Sequence, residues 1–254
     1  MLPSADELVE ASFSVCSFTD DTSPDMRRRT ESSLFRGQSR VLTKSDSLTK
    51  LEEKALPSEQ ELRKCVKAKA SQGEYALAIA VLDQLIVLCP DNAADYNNRG
   101  LMHFRNNQII EALCDLSQAL ELNPRLDSAY NNRANCYAAQ GELTDAIADY
   151  DTALDLNPAN LRAWINQGIA FRELGIYDLS IENFDITLTI GDVLQERIYA
   201  ERGRTNYLRG DWNCAVADYR IALDLLAERK DLASYQLKVE SWLEQLLNPI
   251  NDSS

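Results

Sequence analysis

Pro90, Pro124 and Pro158 stand 34 residues apart, twice over, and two of them share a context, Glu121 to Pro124 and Asp155 to Pro158. Internal repetition at this period is the mark of stacked helical hairpins, each too small to bury its apolar face without a neighbour. Such a chain folds as a solenoid rather than around one central core.

Setting each proline at place 32 of a unit allows a check on residues that did not define the frame. Place 8, where two helices approach closely, holds Gly100, Ala134 and Gly168. Place 20 holds Ala78, Ala112, Ala146 and Ser180, and place 27 holds Ala119, Ala153 and Thr187. Large residues recur at place 4 (Leu62, Tyr96, Tyr130, Trp164) and place 24 (Leu82, Leu116, Tyr150, Phe184). This pattern resembles the tetratricopeptide repeat family over residues 59–227. The resemblance implies an all-α, right-handed superhelical solenoid of about five hairpins. The units fall near 59–92, 93–126, 127–160, 161–195 and 196–229, the last after a one-residue slip that puts Gly203, Ala215, Tyr219 and Ala222 in place. Asp192 replaces the proline of the fourth unit, and Gly191 beside it still reads as a helix stop. The first unit departs most, with Val66 and Leu85 where small residues are expected. Leu232, Tyr235, Val239, Trp242 and Leu246 then recur at helical spacing, which predicts a capping helix over 229–248, followed by a disordered end at 249–254.

Residues 1–58 are a different kind of object. The first 50 residues contain 15 serines and threonines and no sustained apolar periodicity, so a disordered tail is expected. Within 27–44, Arg27, Arg28, Arg29, Arg36, Arg40 and Lys44 are opposed only by Glu31. Thr30, Ser32 and Ser33 follow the arginines in the manner of a basophilic kinase site and are candidate phosphorylation sites. Residues 1–58 carry 8 basic and 10 acidic side chains, a net −2; residues 59–254 carry 18 and 30, a net −12.

A formal charge of −14 makes general nucleic-acid binding a poor expectation, since such binding rests on phosphate neutralisation. No apolar run approaches the roughly 20 residues that span a bilayer, so no integral membrane segment is expected. Asp6, Glu7 and Glu10 fit a secretory leader badly. Cys16, Cys65, Cys89, Cys114, Cys136 and Cys214 are dispersed without a CxxC pair, which fits a reducing, cytoplasmic setting and predicts no metal site. His103 is the only histidine, at a packing place later filled by Tyr137 and Phe171, and no phosphate-binding glycine loop is present. A non-catalytic protein without a cofactor is the expectation.

The resemblance also implies a concave wall exposed at places 2, 5, 6, 9, 12 and 13. Those places hold Asn98, Asn132 and Asn166 (place 6), Asn97 and Asn131 (place 5) and Asn135 (place 9). An asparagine row can pair with the backbone of an extended peptide, because the amide both donates and accepts. The alternative is that place 6 simply holds the neighbouring helix. Arg162 and Arg197 at place 2, Arg172 at place 12 and Arg204 at place 9 would make the wall basic, with Arg63 and Lys67 in the first unit. Tyr207 and Ile169 offer apolar anchors beside them. Equally, those arginines could pair with Glu173 or Glu201 on the same wall. Arg99, Arg133 and Arg202, at place 7, should bridge to acids on the next helix. The lysine, asparagine and arginine pattern with which some family members grip acidic chaperone tails is not matched in either frame that starts at Arg63 or Asn97.

The expected function is a protein-interaction scaffold that binds an extended, acidic partner segment in the groove, and the resemblance to arrays of bacterial or cyanobacterial type implies a complex-assembly factor. The similarity of Asn97–Arg99 to Asn131–Arg133 points to arrays of that type. A competing expectation is a regulatory switch whose basic tail masks the groove or outer face. Self-association through the first unit, where Val66 and Leu85 stand, is a third.

Overall fold

The computed structural model describes residues 57–248. Five antiparallel hairpins follow one another: α1 (Glu59–Ser71) with α2 (Tyr75–Leu88), α3 (Ala93–Arg105) with α4 (Ile109–Leu122), α5 (Asp127–Gln140) with α6 (Leu143–Leu156), α7 (Leu161–Glu173) with α8 (Tyr177–Ile190), and α9 (Gln195–Arg209) with α10 (Trp212–Leu226). A 3₁₀ turn at Lys230–Leu232 leads into α11 (Ala233–Leu247), and no strand is present among the described residues. The second helix of each hairpin packs on the first helix of the next, so the elements form one stack.

Local chemistry sets the helix ends. Ser58 caps α1 in a reciprocal box with Glu61, whose carboxylate accepts from the Ser58 backbone N–H at 2.7 Å. The Asn92 and Asn160 side chains accept from the first turns of α3 and α7. The tight turn inside each hairpin needs a left-handed residue, met by Gly73, Gly141, Gly175 and Gly210, and in the second unit by Asn107.

The small places explain the close stacking. Ala78, Ala112, Ala146, Ser180 and Ala215 are fully buried, as are Ala119, Ala153, Thr187 and Ala222. Large residues fill the gaps between helices: Leu82, Leu116, Tyr150, Phe184 and Tyr219. Val66 and Leu85, out of pattern in the sequence, are buried in a cluster with Leu62, Leu82, Leu101 and Met102. They thicken the core of the first hairpin. The one-residue slip before α9 is absorbed at Leu194, which adopts a left-handed conformation while packing on Ile165, Ile169, Phe184 and Ile198. α11 takes the position that the first helix of a sixth unit would occupy, with Val239 buried and Tyr235, Trp242 and Leu246 packed on Tyr219, Ala222 and Leu226.

Candidate functional site

The first helices α1, α3, α5, α7 and α9 carry the residues expected on the concave wall. Among the asparagines, Asn97, Asn98 and Asn131 are buried, while Asn132, Asn135 and Asn166 are half-buried. They bond to one another across units. Asn132 Nδ2 donates to Asn97 Oδ1 at 2.9 Å, and Asn166 Nδ2 donates to Asn135 Oδ1 at 2.9 Å. The Tyr150 hydroxyl donates to the same Asn135 oxygen at 2.7 Å. Each amide ties one hairpin to the next, so the row is partly spent on the stack. Asn98 Nδ2 and Asn135 Nδ2 have no hydrogen-bond partner among the described residues.

Arg172 follows the pairing alternative. Arg172 donates to Glu201 at 2.6 Å and to Glu173 at 3.2 Å, with the Arg172 and Glu201 side chains only 9 % and 8 % exposed. The Tyr235 hydroxyl, from α11, donates to the other Glu201 oxygen at 3.3 Å. Burial alone would raise the Glu201 carboxyl, but Arg172 and Arg197 outweigh it and hold it below its ordinary value. Arg197 is less well served. Its Nη2 reaches Asn166 Oδ1 at 3.4 Å, its Nε is buried with no partner, and burial pulls its guanidinium below the usual range. Arg204 lies over the Trp242 ring at 4.9 Å, and Tyr207, half-buried, packs on the α9–α11 cluster. Arg63 is bound by Glu59 and Asp95. Arg162 is half-buried at the start of α7. The wall is therefore not the uniformly basic surface that the residue types suggested: Arg172 is neutralised by Glu201 and Glu173, and Arg63 by Glu59 and Asp95.

Arg99, Arg133 and Arg202 each form a two-pronged pair with an acid on the partner helix: Asp115 at 2.7 and 2.6 Å, Asp149 at 2.7 and 2.8 Å, and Asp218 at 3.0 and 2.6 Å. Those are hairpin braces. Thr30, Ser32 and Ser33 lie outside the described residues.

The wall opens into a crevice between α5 and α7. Ala138, Ala139, Ile169 and Ala170 supply apolar lining, and Asn135, Tyr150, Asn166 and Glu173 supply polar groups. Its origin is local. The corresponding places hold Phe104 and Arg105 in α3, and Arg172 and Glu173 in α7, whereas α5 has two alanines. Ala138 and Ala139 were not singled out in the sequence, although their size contrast with neighbouring units was the available signal.

Two stretches of the chain match family models: residues 128–160 the model described as tetratricopeptide repeat, and residues 67–107 that described as TPR repeat. The chain is a tetratricopeptide repeat protein. The array superposes on solved structures of the same kind. A thermophilic TPR protein of Thermus thermophilus, TTC0263, matches with a TM-score of 0.62 at 17 % identity, covering 72 % of this chain and 98 % of that one. A tetratricopeptide repeat protein from Parabacteroides merdae gives 0.59 at 21 %, covering 75 % and 73 %. The APC/C hetero-tetramer Cut9–Hcn1 gives 0.63 at 20 %, covering 73 % and 36 %. No curated protein matches the chain at the level of sequence. At these identities the tetratricopeptide likeness establishes the fold, which is that of a protein–protein interaction scaffold. No helix among the described residues is long and apolar enough to cross a membrane.

Proposed function

We propose that the chain is a non-catalytic adaptor that holds an extended segment of a partner protein along its concave wall. One apolar side chain of that segment sits in the crevice between α5 and α7. The observation that supports this is the crevice itself, apolar at Ala138, Ile169 and Ala170 and rimmed by hydrogen-bonding groups. Asn98 and Asn135 retain amide N–H groups for peptide carbonyls, at positions that do not depend on the partner's sequence. The expected preference for an acidic segment narrows to one residue, Arg197, whose guanidinium makes only a 3.4 Å bond from Nη2 to Asn166 Oδ1 and so favours a single carboxylate. An adaptor of this kind suits a complex-assembly role in the cytoplasm, where its dispersed thiols would stay reduced.

The test is a displayed peptide library selected on the wild type and on Ala139→Phe, which fills the crevice. The wild type should enrich peptides with one bulky apolar residue near one acid. The variant should lose those peptides by about tenfold or more while melting at the same temperature. The same peptides held equally by both proteins would end the crevice reading.

A second reading rests on how charge is layered. α2, α4, α6 and α8 contain no lysine or arginine, and α10 contains only Arg220, while acids recur along α4, α6, α8 and α10. That outer layer is a counterpart for the basic stretch 27–44, and contact between them would let phosphorylation at Thr30, Ser32 or Ser33 control access. Replacing Arg27, Arg28 and Arg29 by alanine should then raise partner affinity; unchanged affinity would leave the plain adaptor.

A further inference from the structure

α2 differs from every other outer helix of the stack. Its sequence, Tyr75–Leu88, has one charged residue, Asp83, and that carboxylate is bound by Arg99 at 2.8 Å. Leu77, Val87 and Leu88 are 52 %, 82 % and 59 % exposed. At the places of Leu77 and Val87, α4 has Glu111 and Glu121, and α6 has Asp145 and Asp155. At the place of Leu88, the next two units have Leu122 and Leu156, both half-buried. A helix that is apolar on nearly all sides belongs inside a protein, not at its edge.

From this face, we infer that α2 is a docking surface for the chain's own residues 48–56. Three observations select that occupant. The chain outside the described residues rejoins the fold at Pro57 and Ser58, the start of α1. That start lies beside the end of α2: burial raises the Cys89 thiol above its ordinary value, and the nearby Glu59 carboxylate adds to it. The segment that arrives there carries Leu48, Leu51, Ala55 and Leu56, apolar residues at helical spacing, with Thr49, Lys50, Glu52, Glu53 and Lys54 between them. The lengths agree as well. Residues 48–56 in helical form span about 12 Å, and the stripe from Leu77 to Leu88 about 16 Å, at roughly 1.5 Å per residue. The segment thus covers the first hairpin on the side away from the second, as α11 covers the last hairpin at the other end. On this inference the expected disordered tail ends before residue 48 rather than at 58. The docking surface is a different face from the crevice, so either idea can fail without the other.

A photocrosslinking residue, p-benzoylphenylalanine, placed at position 87 of the full chain tests it, since Val87 is exposed and its replacement leaves the core intact. Mass spectrometry of irradiated protein should find the adduct on residues 48–56 of the same chain. The adduct should be lost when Leu48→Asp and Leu51→Asp are introduced together. Adducts of doubled mass would show that a second copy covers the face and would overturn the inference. Irradiated protein with no internal adduct would overturn it too. Circular dichroism of the Asp variant separates a lost contact from a lost fold.

Discussion

Glu201 illustrates how one side chain can be both a groove residue and a keystone. It breaks the asparagine row, and its carboxylate instead joins α7 and α11 through Arg172 and Tyr235. Buried ion pairs gain little over an apolar packing of the same shape, but removing one partner is costly, about 3–5 kcal/mol. Glu201→Gln should therefore lower the denaturant midpoint of the C-terminal hairpin strongly at neutral pH. Because the folded carboxyl lies below its unfolded value of about 4.3, its contribution is complete above that pH. It is lost as pH falls through the folded value. The wild-type and Glu201→Gln midpoints should separate at pH 7 and converge on acidification, which urea titrations across that range would record. Parallel curves would mean that the pair carries no pH-linked stability.

Helix pairs are held at distances dictated by single atoms. A Cβ on Gly203 would lie 2.9 Å from the Tyr219 ring and 3.1 Å from Asp218 Cβ. Tyr219 is buried under Trp242, whose ring centre is 6.0 Å from its own, so it cannot swing aside. Gly203→Ala should force α9 from α10 and cost about 1–3 kcal/mol. The third unit already has Ala134 at this place, so Ala134→Gly relieves no clash and should cost backbone entropy and the burial of one methyl, about 1–2 kcal/mol. Thermal denaturation of the two variants checks both, and a Gly203→Ala protein as stable as the wild type would show that place 8 is not a steric gate.

A stack of hairpins owes its stability to its neighbours, and both ends are open to solvent unless closed. α11 closes one end: without it, Tyr219, Ala222 and Leu226 would lose their cover from Tyr235, Val239 and Trp242. Ending the chain after Ala227 should therefore produce a protein that self-associates with rising concentration, readable by light scattering behind a sizing column. Hydrogen exchange should be slowest in α4–α7, which have neighbours on both sides, and faster in α1 and α10 of the shortened chain. A monomer with unchanged exchange in α10 would deny α11 its capping role.

The period of 34 residues and the small and large places made the hairpins legible from residue order, because close helix packing admits few side chains at those places. The cap was legible too, from apolar residues at helical spacing followed by polar ones. Charge pairing was legible only in part: the braces of Arg99, Arg133 and Arg202 were expected and are present, but the partners of the wall arginines were left open. Arg172 and Glu201 are 29 residues apart, and whether an arginine on the wall faces a partner or an acid of the same stack depends on the twist between units. The amide bonds from Asn132 to Asn97 and from Asn166 to Asn135 depend on the same twist, which converts a row of like residues into a chain of inter-unit ties. The crevice arose from absence of bulk at Ala138 and Ala139, a feature that acquires meaning only when α7 stands opposite. Period and side-chain size are properties of the chain; neutralised charge, spent amides and empty space are properties of neighbours, which folding alone brings together.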